Sequence, residues 1–272
     1  MPPITRLRPP SVSSATRKGS RRRADIPPEV LERLHLGQES TITLVEVLAI
    51  DQRRLVQARA TTWGPVAEPL LAAAEASAGQ GFMDRYRAMG LILAMETGGR
   101  GRVFNQLATD PADTVRSWAA FAAGFAAGED LEERLERIRP FAADPHMGVR
   151  ECAWMALRPH LTADLPAAWK LLKPWVVDPD PNLRRCAIEA TRPRGVWCAH
   201  IEQLKAKPHL GLGLLRPVRA DPARYVQNSC ANWLNDAGKT HPEWVRDLCA
   251  RWLVESPVKA TTYICRRGQR NL

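Results

Sequence analysis

The sequence predicts an all-α chain of stacked helical hairpins, and three observations predict it. A ten-residue phrase, Asp-Pro-x-x-x-Val/Leu-Arg-x-x-Ala, recurs with starts at Asp110, Asp144, Asp178 and Asp221. The first three starts lie 34 residues apart and the fourth follows after 43, a period that marks repeated helix pairs. Alternating runs of Val, Ile and Thr are rare, whereas Ala-rich stretches with helical apolar spacing fill the chain. Roughly 12 to 14 helices are expected. A stack of this kind is quasi-one-dimensional and offers a long concave face, so it is a binding surface first.

Each position in the phrase has a physical role. Asp is expected to cap a helix, with Pro in the first turn, where a missing N–H costs nothing. Val115, Val149, Leu183 and Val226 are each followed four residues later by Ala119, Ala153, Ala187 or Cys230, which places each pair on one helix face. Arg116, Arg150 and Arg184 flank the apolar position, but the fourth copy has Gln227. Two readings of these arginines stand. In one, each bonds to the Asp or helix end of an adjacent repeat. In the other, they form a stripe that contacts phosphates.

In chain order, residues 24–39 read as a lead-in, with Pro27-Pro28 opening a helix at Glu29. Residues 41–60 and 65–78 form a helical pair broken by Gly64-Pro65, and a helix over 82–96 is ended by Gly98-Gly99. Helices near 113–127 and 130–142 make one hairpin, and those near 146–159 and 164–177 the next. The third repeat carries about nine extra residues, placed in the Pro-, Gly- and Arg/Lys-bearing stretch Thr191 to Gly213. The last repeat spans about 221–254.

The net charge of +10 is unevenly spread. Residues 1–23 contain seven basic residues and no acid, leaving +3 for the rest. Residues 1–25 are therefore expected to be a disordered basic tail, and 26–272 the repeat domain. The tail reads either as an arm adding salt-dependent affinity for a polyanion or as a solubilising extension. A second basic cluster comprises Lys259, Arg266, Arg267 and Arg270. No apolar run is long enough to span a bilayer and no secretory signal is recognised. The six cysteines form no C-x-x-C pair and read as small buried residues in a reducing cytoplasm. No metal site and no cofactor are expected.

Two stretches stand apart. The first runs from Arg184 through Glu189 and Arg192-Pro193-Arg194 to Trp197; the second runs from Asp221 through Tyr225, Asn232, Asn235 and Asp236 to Lys239. Their pattern of Glu, Arg-Pro-Arg and Trp, then Asn-x-x-Asn-Asp-x-x-Lys, resembles the AlkC/AlkD-like family of DNA alkylation repair proteins. The likeness is clearest from about Val149 onward. It implies a HEAT-like helical repeat solenoid that binds double-stranded DNA along its concave face. Active members excise purines alkylated at N3 or N7. Such a base is already cationic, so its glycosidic bond is weak and a carboxylate suffices to stabilise the developing oxocarbenium ion.

On that resemblance Glu189 and Asp236 are the candidate catalytic carboxylates. Arg184, Arg192, Arg194 and Lys239 are candidates for gripping phosphates, and Trp154, Trp197 and Trp233 for contacting the base. Structural readings stand beside these: Asp236 as a cap or bridge, Glu189 as an ion-pair partner of Arg185 or Arg192, and Trp233 as core. One departure matters. Trp154 stands where the AlkC pattern has a catalytic Glu, with Glu151 three residues away. The expected protein is a monomeric, DNA-binding repeat protein, with alkylpurine DNA glycosylase (hydrolase) activity left open. The alternative is a non-catalytic HEAT-repeat scaffold for protein partners or DNA.

Overall fold

The structure, a computed structural model, describes residues 17–272. Among the described residues the chain is all-α, with sixteen α-helices, four short 3-10 turns and no strand. It divides into two compact units, residues 1–156 and 157–272. None of the described helices is long and apolar enough to cross a membrane.

The first unit contains α1 (Pro28–His35), α2 (Leu44–Ala49), α3 (Gln52–Trp63), α4 (Ala67–Ala76), α5 (Phe82–Thr97), α6 (Gly101–Ala108), α7 (Asp113–Phe125) and α8 (Leu131–Ala142), and it takes in the start of α9 (Met147–Ala163). The expected breaks are found. Helix α3 stops at Gly64, whose φ is +61°, and α5 stops at Gly98 in the left-handed region. Helix α8 opens with a capping box, Asp130 accepting from the Glu133 amide and Glu133 accepting from the Asp130 amide. Helix α7 is buried on every side from Asp113 to Gly124. A Cβ at Gly90 of α5 would lie 2.2 Å from the Cβ of Phe121, so glycine is what allows these two helices to close on each other.

The expected tail divides. Residues 1–16 lie outside the described residues. Arg17, however, donates to Glu46 and Glu39 at 2.6 Å each, and Glu46 is wholly buried. A 3-10 turn follows at Arg23–Asp25. Within the expected tail, Arg17 is thus bound to the fold, because a buried carboxylate needs its cation.

The second unit contains the rest of α9, then α10 (Leu165–Leu172), α11 (Pro181–Ala190), α12 (Glu202–Ala206), α13 (Leu212–Val218), α14 (Arg224–Gly238), α15 (Pro242–Glu255) and α16 (Lys259–Gly268). The extra residues of the third repeat fall where expected. Helix α11 ends early at Ala190, an irregular loop runs to Ile201, and two short helices, α12 and α13, complete the segment. These short helices raise the number of helices above expectation.

The recurring phrase works differently from a simple cap. Each Asp accepts the amide two residues ahead, at 2.7 to 2.8 Å in all four copies. The helix begins later still, at Asp113 after Asp110 and at Arg224 after Asp221, and Ala112 and Ala223 at the N-cap give no side-chain bond. The Asp-Pro pair therefore builds a turn that delivers the chain into the helix. The Arg then folds back. Arg116, Arg150 and Arg184 each donate from Nη1 to the carbonyls of their own Asp and Pro. Arg116 also forks onto Asp144, and Arg184 onto Asp221, the Asp of the next copy. Gln227 keeps the fold-back bond, donating to the Asp221 carbonyl at 2.7 Å. Arg116 and Arg184 are thus mortar between repeats, the first of the two sequence readings.

Candidate functional site

Glu189, Arg192, Arg194, Asp236 and Lys239 converge on one cluster between the end of α11 and the C-terminal half of α14. Glu189, on the last turn of α11, is 2% exposed. Its Oε1 accepts from Ser229 Oγ at 2.8 Å and from Arg185 Nη1 at 3.1 Å; its Oε2 accepts from Arg192 Nη1 at 3.0 Å. Arg185 also donates to Ser229 Oγ at 2.5 Å, and its guanidinium lies over the Tyr225 ring, 4.1 Å from the centroid. Arg192 reaches the other way as well, placing Nε 2.8 Å from Asp236 Oδ2. Asp236 Oδ1 faces Lys239 Nζ at 3.7 Å, beyond hydrogen-bond distance. Arg194 donates from Nε to the Asp236 carbonyl at 3.3 Å.

The two carboxyl groups are tuned in opposite directions. Burial opposes ionisation of Glu189, but the charges of Arg185 and Arg192 and the Ser229 hydroxyl outweigh it and hold its pKa below the ordinary value. Burial pushes the Asp236 carboxyl above its ordinary value, and Arg192 and Lys239 offset this only in part.

The loop that presents Arg192 is built tightly. Arg158, 2% exposed, donates to the carbonyls of Ala190, Arg192 and Ala199. The Ile201 amide closes onto the Pro193 carbonyl at 3.0 Å. A Cβ at Gly195 would meet Cys198 Sγ at 2.3 Å. At the tip, Trp197 is 53% exposed and has φ of +57°, the one non-glycine positive φ among the described residues. A large residue in that region is strained, and such strain gathers at functional positions.

The remaining candidates are placed differently. Arg184 is committed to the Asp221 clamp. Trp154, in the first unit, is 4% exposed and donates from Nε1 to Glu151 Oε2 at 2.9 Å, so indole and neighbouring acid occupy each other. Trp233 is core, its Nε1 bonded to the Thr191 carbonyl. Sequence reasoning missed Arg158 and Ser229. Arg158 left one signal, a charged residue at helical spacing from the buried Leu161; Ser229 left none. Among the described residues no group of His, Cys, Asp and Glu is arranged to hold a metal, and of the six free cysteines only Cys198 is partly exposed.

Fold and cluster together define an all-helical repeat protein with a buried arginine–carboxylate centre. The family model for DNA alkylation repair enzymes matches residues 149–255, the stretch that contains this centre. The chain is similar to the uncharacterized protein YhaZ of Bacillus subtilis, 36% identical over 76 residues, which are 28% of this chain and 21% of that protein. Its fold is similar to the alkylpurine DNA glycosylase AlkC of Pseudomonas fluorescens, solved bound to DNA containing an abasic site analog. There the TM-score is 0.64 at 22% identity, covering 88% of this chain and 64% of that one. It is also similar to AlkD2 of Streptococcus mutans, with a TM-score of 0.53 at 18% identity, covering 81% and 99%. The chain thus matches about a fifth of the curated relative's length and under two thirds of the AlkC chain. The chain is similar to the DNA alkylation repair family over residues 149–255, and its helical fold is similar to those of AlkC and AlkD2.

Proposed function

We propose that the second unit binds double-stranded DNA and brings an N3- or N7-alkylated purine to the Glu189–Arg192–Asp236 centre. One observation carries this reading: Asp236 Oδ1 is the carboxylate oxygen of the centre without a hydrogen bond at ordinary distance, while Oδ2 and both oxygens of Glu189 are held by guanidinium or hydroxyl groups. Asp236 is then the acid that faces the cationic nucleoside and stabilises the positive charge developing on the sugar. Glu189 is a positioning residue, fixing Arg192, which in turn fixes Asp236. Trp197, half exposed at the loop tip, supplies an indole for a cationic base, and Arg194 and Lys239 supply charge for flanking phosphates.

The test is incubation of the protein with methylated duplex DNA and chromatography of the released bases. Release of 3-methyladenine or 7-methylguanine, lost in Asp236→Asn, is expected. Absence of DNA binding in a gel shift at low salt would overturn the reading altogether. Trp154 favours a second reading, a relative that binds DNA without cutting it, because an indole fills the place of an expected carboxylate and engages the nearby Glu151. Binding without release would select that reading.

A further inference from the structure

The basic cluster at residues 259–270 takes no part in the centre described above and lies outside the segment that the family model matches. From Ser256 to Leu272 there are four basic residues and no acid. In the centre and the neighbouring clamp, three arginines are neutralised by acids: Arg184 by Asp221, Arg185 by Glu189, Arg192 by Glu189 and Asp236. At the α14–α16 edge cations are held in place by neutral groups instead. Arg224 lies over the Tyr263 ring, 3.6 Å from the centroid. Tyr263 Oη is itself fixed by donating to Asn228 Oδ1 at 2.7 Å. Arg270 donates from Nη2 to Asn232 Oδ1 at 3.1 Å and from Nη1 to the Arg267 carbonyl at 2.8 Å. The Asn271 amide and the Gly268 carbonyl both bond to Asn235, tying the end of α16 to α14.

Holding a guanidinium with a ring face or an amide oxygen orders it without cancelling its charge. The cost of crowding cations is visible at Arg270, where partial burial and the charge of Arg267 lower the pKa. Tyr225, Asn228, Asn232 and Asp236 follow one another at spacings of three, four and four residues, a single stripe of α14. The ordered cations therefore border a line leading to Asp236.

We propose that this α14–α16 edge, with Arg224, Arg267 and Arg270, is a phosphodiester-binding track that holds one DNA strand beside the Asp236 centre. The proposal rests on the DNA-binding reading above. Its occupant is a nucleic-acid strand because Arg224 and Arg270 are held by neutral groups, the Tyr263 ring and Asn232, beside the α14 stripe that leads to Asp236, so their charges stay available to successive phosphates.

The test is fluorescence anisotropy of the full chain with an unmodified duplex oligonucleotide across a salt series. The Arg267→Gln/Arg270→Gln variant is expected to bind more weakly on every sequence, with the slope of log K against log salt shallower by about 2. Tyr263→Phe, which keeps the ring under Arg224, is expected to retain more affinity than Tyr263→Leu. Circular dichroism melts establish that the variants are folded. Wild-type binding with an unchanged slope in the folded double variant would overturn the track and leave the DNA-binding reading standing. No wild-type binding would overturn both. Equal loss of binding to anionic phosphatidylserine vesicles, with DNA binding untouched, would show a membrane-directed patch and overturn the proposal.

Discussion

Glu189 and Asp236, on different helices, are held by the same guanidinium: Arg192 places Nη1 3.0 Å from Glu189 Oε2 and Nε 2.8 Å from Asp236 Oδ2. One cation facing two acids neutralises only one of them; on the Glu189 side Arg185 adds a second charge at hydrogen-bond distance, whereas on the Asp236 side the half-exposed Lys239 stays 3.7 Å away. The asymmetry explains why the two carboxyls shift in opposite directions.

On acidification Asp236 is expected to take up its proton before Glu189. Carboxyl carbon chemical shifts followed against pH in labelled protein would read the order directly, and the reverse order would refute it. The stability consequences have opposite signs. Glu189, lowered in the fold, contributes stability above the unfolded carboxylate value of about 4.3, and that contribution is lost as pH falls through its lower folded value. Asp236, raised in the fold, costs stability while ionised, and acidification through its raised value relieves the cost.

Glu189→Gln is expected to destabilise the protein by about 3–5 kcal/mol, since it leaves Arg185 and Arg192 short of a buried partner. Asp236→Asn should cost less, because Arg192 keeps Glu189. Urea unfolding at neutral pH ranks the two variants.

Removing the inter-repeat clamp has a graded effect. Arg184→Ala strands Asp221 and two carbonyls and is expected to cost about 3–5 kcal/mol. Arg184→Gln, which reproduces the fourth copy, should retain the fold-back bond and lose roughly half as much. If Arg184 instead served phosphates, either variant would change the salt dependence of DNA binding, and the prediction is that it does not.

Trp197→Gly separates strain from contact. Relief of the positive φ is expected to offset the lost packing, with unfolding stability changed by no more than about 1 kcal/mol. Affinity for DNA carrying a cationic lesion should fall, measured by competition against unmodified duplex. A large stability loss with unchanged affinity would make Trp197 a packing residue.

The repeat was legible because its phrase encodes local chemistry: an Asp-Pro turn, an apolar pair one turn apart and an Arg that folds back. Helices α12 and α13 were not, since five and seven residues are too few for a 3.6-residue period to stand out. Glu189, Arg192 and Asp236 were legible as a pattern of residue types. Their burial around one guanidinium was not, because it depends on Arg158 gripping a loop 32 to 41 residues further along the chain. The reach of Arg184 to Asp221 was left open for the same reason: spacing along a sequence does not say which face the next repeat presents.

The Arg116–Asp144 clamp of the first unit and the Arg184–Asp221 clamp of the second each have a polarity. In both, the earlier copy donates and the later copy accepts, as with links that have a hook at one end and an eye at the other. Gln227 is a link without its hook: it holds its own turn and reaches for no acid beyond. A grafted fifth copy of the phrase would consequently dock through its Asp only if Gln227 were changed to Arg at the same time.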